Sequence, residues 1–418
     1  MSHRGLTREV ALSVLGQSIY AMAQLLAAIL ISRWWGLAGM GMYTLALSVS
    51  APVFIGSQMK LRTVAAGDAG GRFLASQLGR VRVVSSAVAL SVSLFLGSVA
   101  LRGTSGYGAA FATVGAVSFS KAVESQSDLA YGFMQRKGSF GRMSSSLSVR
   151  GLWSVLALVL GKQLLNLPLE ITLGLVGFGW LVVYSILDSS YYPPIWRSPE
   201  GRMPWRPILV AVAPLGLAAS LASLVPNLPR YAVATFSGTE LLGVYGALSY
   251  LAFGGTMFVN AAGQAVLPRL GSSRATEDYA QLKKLAFQFF ALAAIVGALA
   301  VLVAVVAGVE IVIAVFGESF VQSRSLIVLI VSAGAIGFLA SAATFVLVSI
   351  QSFRVLLGIT SITVAVAGAA AFVFVPLLGL HGAGISLLVA NCVQIGLSMC
   401  FILRFVASST VRSTGSCT

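Results

Sequence analysis

Residues 118–136 read SFSKAVESQSDLAYGFMQR. Apolar residues flank the stretch closely on both sides, yet within eight positions it carries Lys121, Glu124 and Asp128. Read as a loop, it would reverse the sidedness of every connection that follows. Read as a membrane helix, it takes three ionisable groups into the bilayer. The rest of the chain decides between the two.

Of the 418 residues, 57% are hydrophobic and only 9% are charged, and the mean hydropathy is +0.93. A soluble domain is about a quarter charged. A water-facing surface for so long a chain cannot be made from so few charges. Apolar runs of the length a bilayer requires, about 20 residues, recur from end to end. The short alternating segments of a membrane β-barrel are missing. The composition therefore predicts an all-α polytopic membrane protein.

With 118–136 taken as membrane-embedded, the apolar pattern gives twelve spans: 10–32, 41–59, 83–101, 107–135, 143–161, 168–188, 207–232, 241–268, 285–309, 322–350, 355–376 and 382–403. With both termini cytoplasmic, the outer loops and outer span ends hold Arg33, Arg102, Lys162, Arg230 and Arg324. Lys121 and Arg150 lie within spans, and the other twenty of the 27 basic residues fall on the inside. This is the positive-inside asymmetry. Dropping the fourth span would invert every later loop and destroy the bias. The basic loop 60–82, KLRTVAAGDAGGRFLASQLGRVR, is expected on the inner face, either as a surface helix against anionic lipid or as an ordinary loop. The net charge of +15 is read in the same way and not as a nucleic-acid footprint, since no soluble domain is left to carry one.

The halves of the chain resemble each other. ISRWWGLAGMGMYTLALSVSAP (31–52) and LPRYAVATFSGTELLGVYGALSY (228–250) each place an Arg at the end of a helix, Arg33 and Arg230. Each then has a short connection and a Gly-x-Tyr, at Gly41-Met42-Tyr43 and Gly243-Val244-Tyr245. Similar segments six spans apart imply two six-helix lobes of the same orientation, as in transporters built from parallel repeats. The expected organisation is a first lobe at 1–196, a cytoplasmic linker at 197–206, a second lobe at 207–405 and a cytoplasmic tail at 406–418.

The exit SRWWGLAGMGMYTLALSVS, the second-lobe start SGTELLGVYGALSYLA and the later VFGESFVQSRSLIVLI (315–330) resemble the Wzx-type polysaccharide-transporter branch of the MOP flippase superfamily. The resemblance implies two six-helix lobes around a central cavity, a MATE/MOP-like fold. It implies translocation of polyprenyl-pyrophosphate-linked oligosaccharides across the bacterial inner membrane, for polysaccharide or lipopolysaccharide synthesis. Implied partners are the lipid-linked oligosaccharide, membrane lipids, a coupling ion and polysaccharide-assembly proteins. Members commonly carry an acidic residue beside the Arg of the seventh span, where this chain has Asn227-Leu228-Pro229-Arg230.

On a helical wheel, Lys121, Glu124, Ser125, Asp128 and Gln135 share one face about 120° wide. Such a stripe turns toward protein or water, because a charge facing lipid costs at least ~2.5 kcal/mol. It reads either as a self-compensated network that holds the bundle together or as a site lining a transport cavity. Arg150, in SSSLSVRGLWSV, is the other deep cation; it either joins the site or snorkels to the inner interface. Asp188 is expected at that interface. Arg33 and Arg230, at the outer rim, suit a topological role or contact with a pyrophosphate, which the planar guanidinium recognises bidentately. The candidate site is thus Lys121, Glu124, Asp128, Arg150, Arg33 and Arg230.

No cofactor is expected. Cys392, Cys400 and Cys417 suggest no disulfide framework, and two histidines, His3 and His381, do not make a His/Cys metal cluster. The Gly-rich GDAGGRFLASQLGR follows no strand, and no phosphate-binding P-loop is present. The chain is therefore not read as an enzyme. Two other functions compete with the flippase. One is a multidrug or cation antiporter on the same plan, which a lysine beside Glu124 disfavours. The other is a non-transporting scaffold of an envelope-synthesis complex.

Overall fold

The computed structural model describes residues 3–67, 75–102, 106–191 and 205–415, and every regular element in them is helical. In chain order these are α1 (His3–Gln58), α2 (Leu61–Gly67), α3 (Ala75–Ala100), α4 (Tyr107–Arg136), α5 (Phe140–Val159) and α6 (Leu169–Val183). They are followed by α7 (Trp205–Phe236), α8 (Thr239–Ser249), α9 (Phe253–Ala275), α10 (Tyr279–Val315), α11 (Arg324–Ser349), α12 (Phe353–Leu378) and α13 (Leu380–Gly415). Single π-helical turns extend α5 through Leu160–Leu164 and α6 through Tyr184–Asp188.

Nine helices among the described residues are long and apolar enough to cross a membrane, or ten with α8 and α9 counted as one bent span. Two further features bring this to the twelve expected. First, α1 runs for 56 residues, roughly 80 Å at 1.5 Å per residue, which is more than twice a hydrocarbon core of ~30 Å. It is broken at Gly36 (φ 65°, ψ −158°), a conformation essentially reserved for glycine, so spans one and two meet at a single residue. Second, α4 has 30 residues but is too polar to be counted among the apolar ten.

The chain forms two compact units, Met1–Ser223 and Leu224–Thr418, which divide within α7. The linker expected at 197–206 lies, up to residue 204, outside the described residues. Tyr43 and Tyr245, matched by the internal repeat, are both buried in their own units, and a left-handed glycine precedes each, Gly36 and Gly238.

The helices are inside out compared with those of a soluble protein. In α3 the buried seam is Arg82, Ser85, Ser86, Ala89, Ser93 and Gly97, spaced at the three- and four-residue intervals of one helix face. Its exposed residues are Val84, Val88, Val92, Phe95, Leu96 and Val99. The same holds in α10, where Ala286, Ala293, Gly297, Ala304 and Gly308 are buried while Phe287, Ile295 and Val306 are exposed. Lipid tails are as apolar as leucine, so such helices associate through small residues that let backbones approach.

In the first unit α4 occupies the inner place, packed by α1, α2, α3 and α6. No residue of α4 from Thr113 to Gln135 is exposed. This enclosure explains how a helix with three charges in eight positions is kept from lipid. Glycines set the close approaches: a Cβ on Gly177 of α6 would lie 2.6 Å from Ser120 Oγ of α4, and one on Gly151 of α5 would lie 3.1 Å from Tyr20 Cα of α1.

Candidate functional site

The stripe of α4 resolves into two ion-paired centres. At the first, Lys121 Nζ donates to Glu124 Oε2 at 2.7 Å, one turn along the same helix. Glu124 Oε1 accepts from the Tyr20 hydroxyl of α1 at 3.1 Å. Lys121, which is part-exposed, also lines a small, half-open pocket of about 40 Å³ with Gln24, Tyr43, Ser120, Ser154 and Trp180. A lysine ammonium has three donors, and Glu124 takes one of them.

At the second centre Asp128 is held from two other helices. Arg82 of α3 reaches Asp128 Oδ2 at 3.3 Å and donates to Ser125 Oγ at 3.1 Å. Arg62 of α2 lies 3.5 Å from Asp128 Oδ1 and donates to Gln135 at 3.4 Å. Local structure puts Arg62 there: the chain reverses through Met59 and Lys60, both at positive φ, and α2 then buries Leu61 and Ala65 in the core. Gly132 of α4 lets the Arg62 backbone come close, since a Cβ there would stand 2.6 Å from the Arg62 carbonyl. Ser125 extends the network through Ser86 to Gln126, each step at 3.1 Å.

Arg82 corrects the sequence reading. It was expected in the basic inner loop 60–82, but α3 begins at Ala75 and Arg82 is 0% exposed. Residues 68–74 of that loop lie outside the described residues. A buried arginine is tolerable because a carboxylate and a hydroxyl meet its guanidinium.

Arg150 does not snorkel. It is 0% exposed in α5. Its guanidinium lies 4.5 Å from the Trp180 ring centroid of α6, a cation–π contact, and Nη1 donates to the Tyr131 hydroxyl at 3.3 Å. The Trp180 indole donates to the Arg150 carbonyl and to Ser154. Tyr131 also shares a hydrogen bond with Ser146, which donates to Asp188 Oδ2 at 3.1 Å. Asp188, expected at the interface, ends the π-helical turn of α6 and is fully buried.

The structure therefore brings Lys121, Glu124, Asp128 and Arg150 into the interior of one unit. Arg33 stands exposed on α1 just before the Gly36 break. Arg230 belongs to the second unit, where its Nη1 donates to Asn227 Oδ1 at 3.1 Å within α7. The sequence reading missed Arg62, Arg82, Tyr20, Tyr131 and Trp180. For Arg82 a signal exists, because Arg82, Ser85, Ser86 and Ser93 fall on one face of an otherwise valine-rich span. Four cations (Arg62, Arg82, Lys121, Arg150) and three carboxylates (Glu124, Asp128, Asp188) leave one net positive charge in this interior. Among the described residues no group of three or more His, Cys, Asp or Glu side chains is placed to hold a metal.

No family model matches the chain. In sequence it is similar to the capsular polysaccharide biosynthesis protein CapF of Staphylococcus aureus, at 21% identity over 319 residues, 74% of this chain and 77% of that protein. In fold it is similar to the lipid II flippase MurJ in an inward closed conformation, with a TM-score of 0.75 at 10% identity over 97% of this chain and 91% of that one. It is also similar to an inward-facing multidrug resistance MATE family transporter of the MOP superfamily, with a TM-score of 0.73 at 14% identity over 95% and 99%. The chain has the fold of MOP superfamily transporters.

Proposed function

We propose that this protein is a flippase that moves polyprenyl-pyrophosphate-linked oligosaccharide across the bacterial inner membrane by alternating access, for polysaccharide or lipopolysaccharide synthesis, with both termini cytoplasmic. The observation that carries the reading is Lys121. It is a part-exposed cation on the wall of a half-open pocket, and Glu124 uses only one of its donors. With one surplus positive charge around it, this interior favours an anion over a cation. Pyrophosphate supplies such an anion. The similarity to a capsular polysaccharide biosynthesis protein supports a polysaccharide pathway, and the MurJ-like fold supports a lipid-linked cargo. A cation antiporter of the same fold is disfavoured because Lys121 sits on the carboxylate that such a transporter would use.

In this reading Lys121 meets the phosphate, while Glu124 and Asp128 keep the cations oriented. Arg33 and Arg230 are proposed as secondary contacts for the departing pyrophosphate. The test is translocation of a polyprenyl-pyrophosphate oligosaccharide in proteoliposomes. The intact chain should transport it. Lys121→Ala should slow transport by about tenfold to a hundredfold, the loss of one charge-assisted hydrogen bond. No translocation by the intact chain sinks the function. Normal transport by Lys121→Ala sinks the site and spares the function.

A further inference from the structure

The transport role gives Lys121 a task and leaves Arg150 without one. Arg150 is wholly buried, and among the described residues no carboxylate forms an ion pair with it. Its Nη1 is taken by Tyr131, while Nε and Nη2 are both buried without a hydrogen-bond partner. Unmade donors on a buried cation are costly, so two on one side chain call for an explanation.

The two empty donors form a set. Nε–H and one Nη2–H project side by side from the same edge of the planar guanidinium, the edge that grips both oxygens of a carboxylate. Glu124 is the carboxylate poised to reach it. Tyr20 donates to Glu124, and its ring lies 6.0 Å from that of Trp180. Arg150 stands 4.5 Å from the centroid of the same Trp180 ring. Glu124 and Arg150 are within electrostatic reach of each other. In the structure Glu124 is instead bonded to Lys121, at 2.7 Å.

We propose that Glu124 is a two-position switch, paired with Lys121 at rest and with the open edge of Arg150 once an anionic group of the substrate has taken Lys121. The identity of that anion rests on the function proposed above; the exchange itself does not. Lysine is a compact, mobile point charge suited to changing partners, whereas arginine offers a fixed fork suited to receiving one. At rest the cluster holds one more cation than it has carboxylates. The arriving anion supplies the missing negative charge on Lys121, and Glu124, released, completes Arg150. The charges of the cluster then sum to zero, and α4 is drawn onto α5 and α6. Substrate capture at the cavity wall is thereby converted into a change in helix packing, as a bistable element requires.

Removing Lys121 should throw the switch without substrate. In the full-length chain in nanodiscs, a double-mutant cycle of Glu124→Gln with Arg150→Lys is read by the thermal unfolding midpoint, with and without Lys121→Ala. Lysine at 150 keeps the charge and lacks the fork. The expected coupling is at least ~3 °C in the Lys121→Ala background and under ~1 °C with Lys121 present. Equal coupling in both backgrounds overturns the switch. If Arg150→Lys does not fold, the structure of the Lys121→Ala protein decides. Glu124 within ~3 Å of Arg150 Nε and Nη2 supports the switch, and Glu124 left apart from Arg150 refutes it. Neither measurement uses substrate. A failed transport assay would therefore leave the switch standing, while a flat cycle would leave the transport reading untouched.

Discussion

Asp128 is the residue on which the first unit leans most. Two arginines from two different helices converge on its carboxylate, and one of them, Arg82, has no contact with solvent. Breaking a buried pair by removing one partner costs far more than replacing both by apolar groups. Asp128→Ala should therefore destabilise the protein by roughly 3 kcal/mol, more than Lys121→Ala does. The double change Arg82→Met with Asp128→Leu should recover most of that loss, as read by thermal unfolding in detergent. If the double variant is as unstable as Asp128→Ala, the pair is not what holds α3 to α4. Lys121, Glu124, Asp128 and Arg150 are legible in the sequence, since a charge inside an apolar run stands out. Their partners are not. Tyr20 is 104 positions from Glu124, and Arg82 is 46 positions from Asp128; pairing over such distances depends on how the helices pack. Arg82 was further disguised by its neighbourhood, because a basic stretch before an apolar run looks like a cytoplasmic loop until the serine seam after it is noticed.

Among the elements, the division into spans was readable almost throughout, because lipid imposes one length and one hydropathy on each. The expected 322–350 and 355–376 correspond to Arg324–Ser349 and Phe353–Leu378. The expected span 241–268 is bent where α8 meets α9, and the first two spans depart further. They were expected as helices separated by residues 33–40, and they form one helix with a break at Gly36. Hydropathy marks where a span ends but carries no record of the backbone angle at one glycine. That angle makes Gly36 a sensitive position. No atom stands within 4 Å of where its Cβ would be, so Gly36→Ala meets no clash and its cost is conformational alone. The expected loss is about 1–3 kcal/mol, the strain of a non-glycine residue in this region, and Gly36→Val should lose more. An alanine that leaves the unfolding midpoint unchanged would mean that the two spans do not need this break. Gly151 is the opposite case. Its φ is ordinary, but a Cβ would press on Tyr20 and Ala23, so a larger residue there would displace the tyrosine that bonds Glu124.

For the molecule as a whole, the proposed orientation rests on charge alone. Moving Arg82 from loop to helix removes one cation from the inner tally and leaves the asymmetry. The connection between α4 and α5 is flanked by Arg136, Lys137 and Arg142, whereas the one between α5 and α6, 165–168, is LNLP. If positive charge is retained in the cytoplasm, these two connections lie on opposite sides, with the Arg62–Asp128 centre toward the cytoplasmic end of α4. Two single cysteines test this in a background with Cys392, Cys400 and Cys417 changed to serine. Leu165 is 60% exposed and Lys137 is exposed, so both sites accept a thiol reagent. A membrane-impermeant maleimide added to intact spheroplasts should label Leu165→Cys and should reach Lys137→Cys only after permeabilisation. The reverse pattern would put Asp128 and Arg62 nearer the outer face and would overturn the proposal that both termini are cytoplasmic.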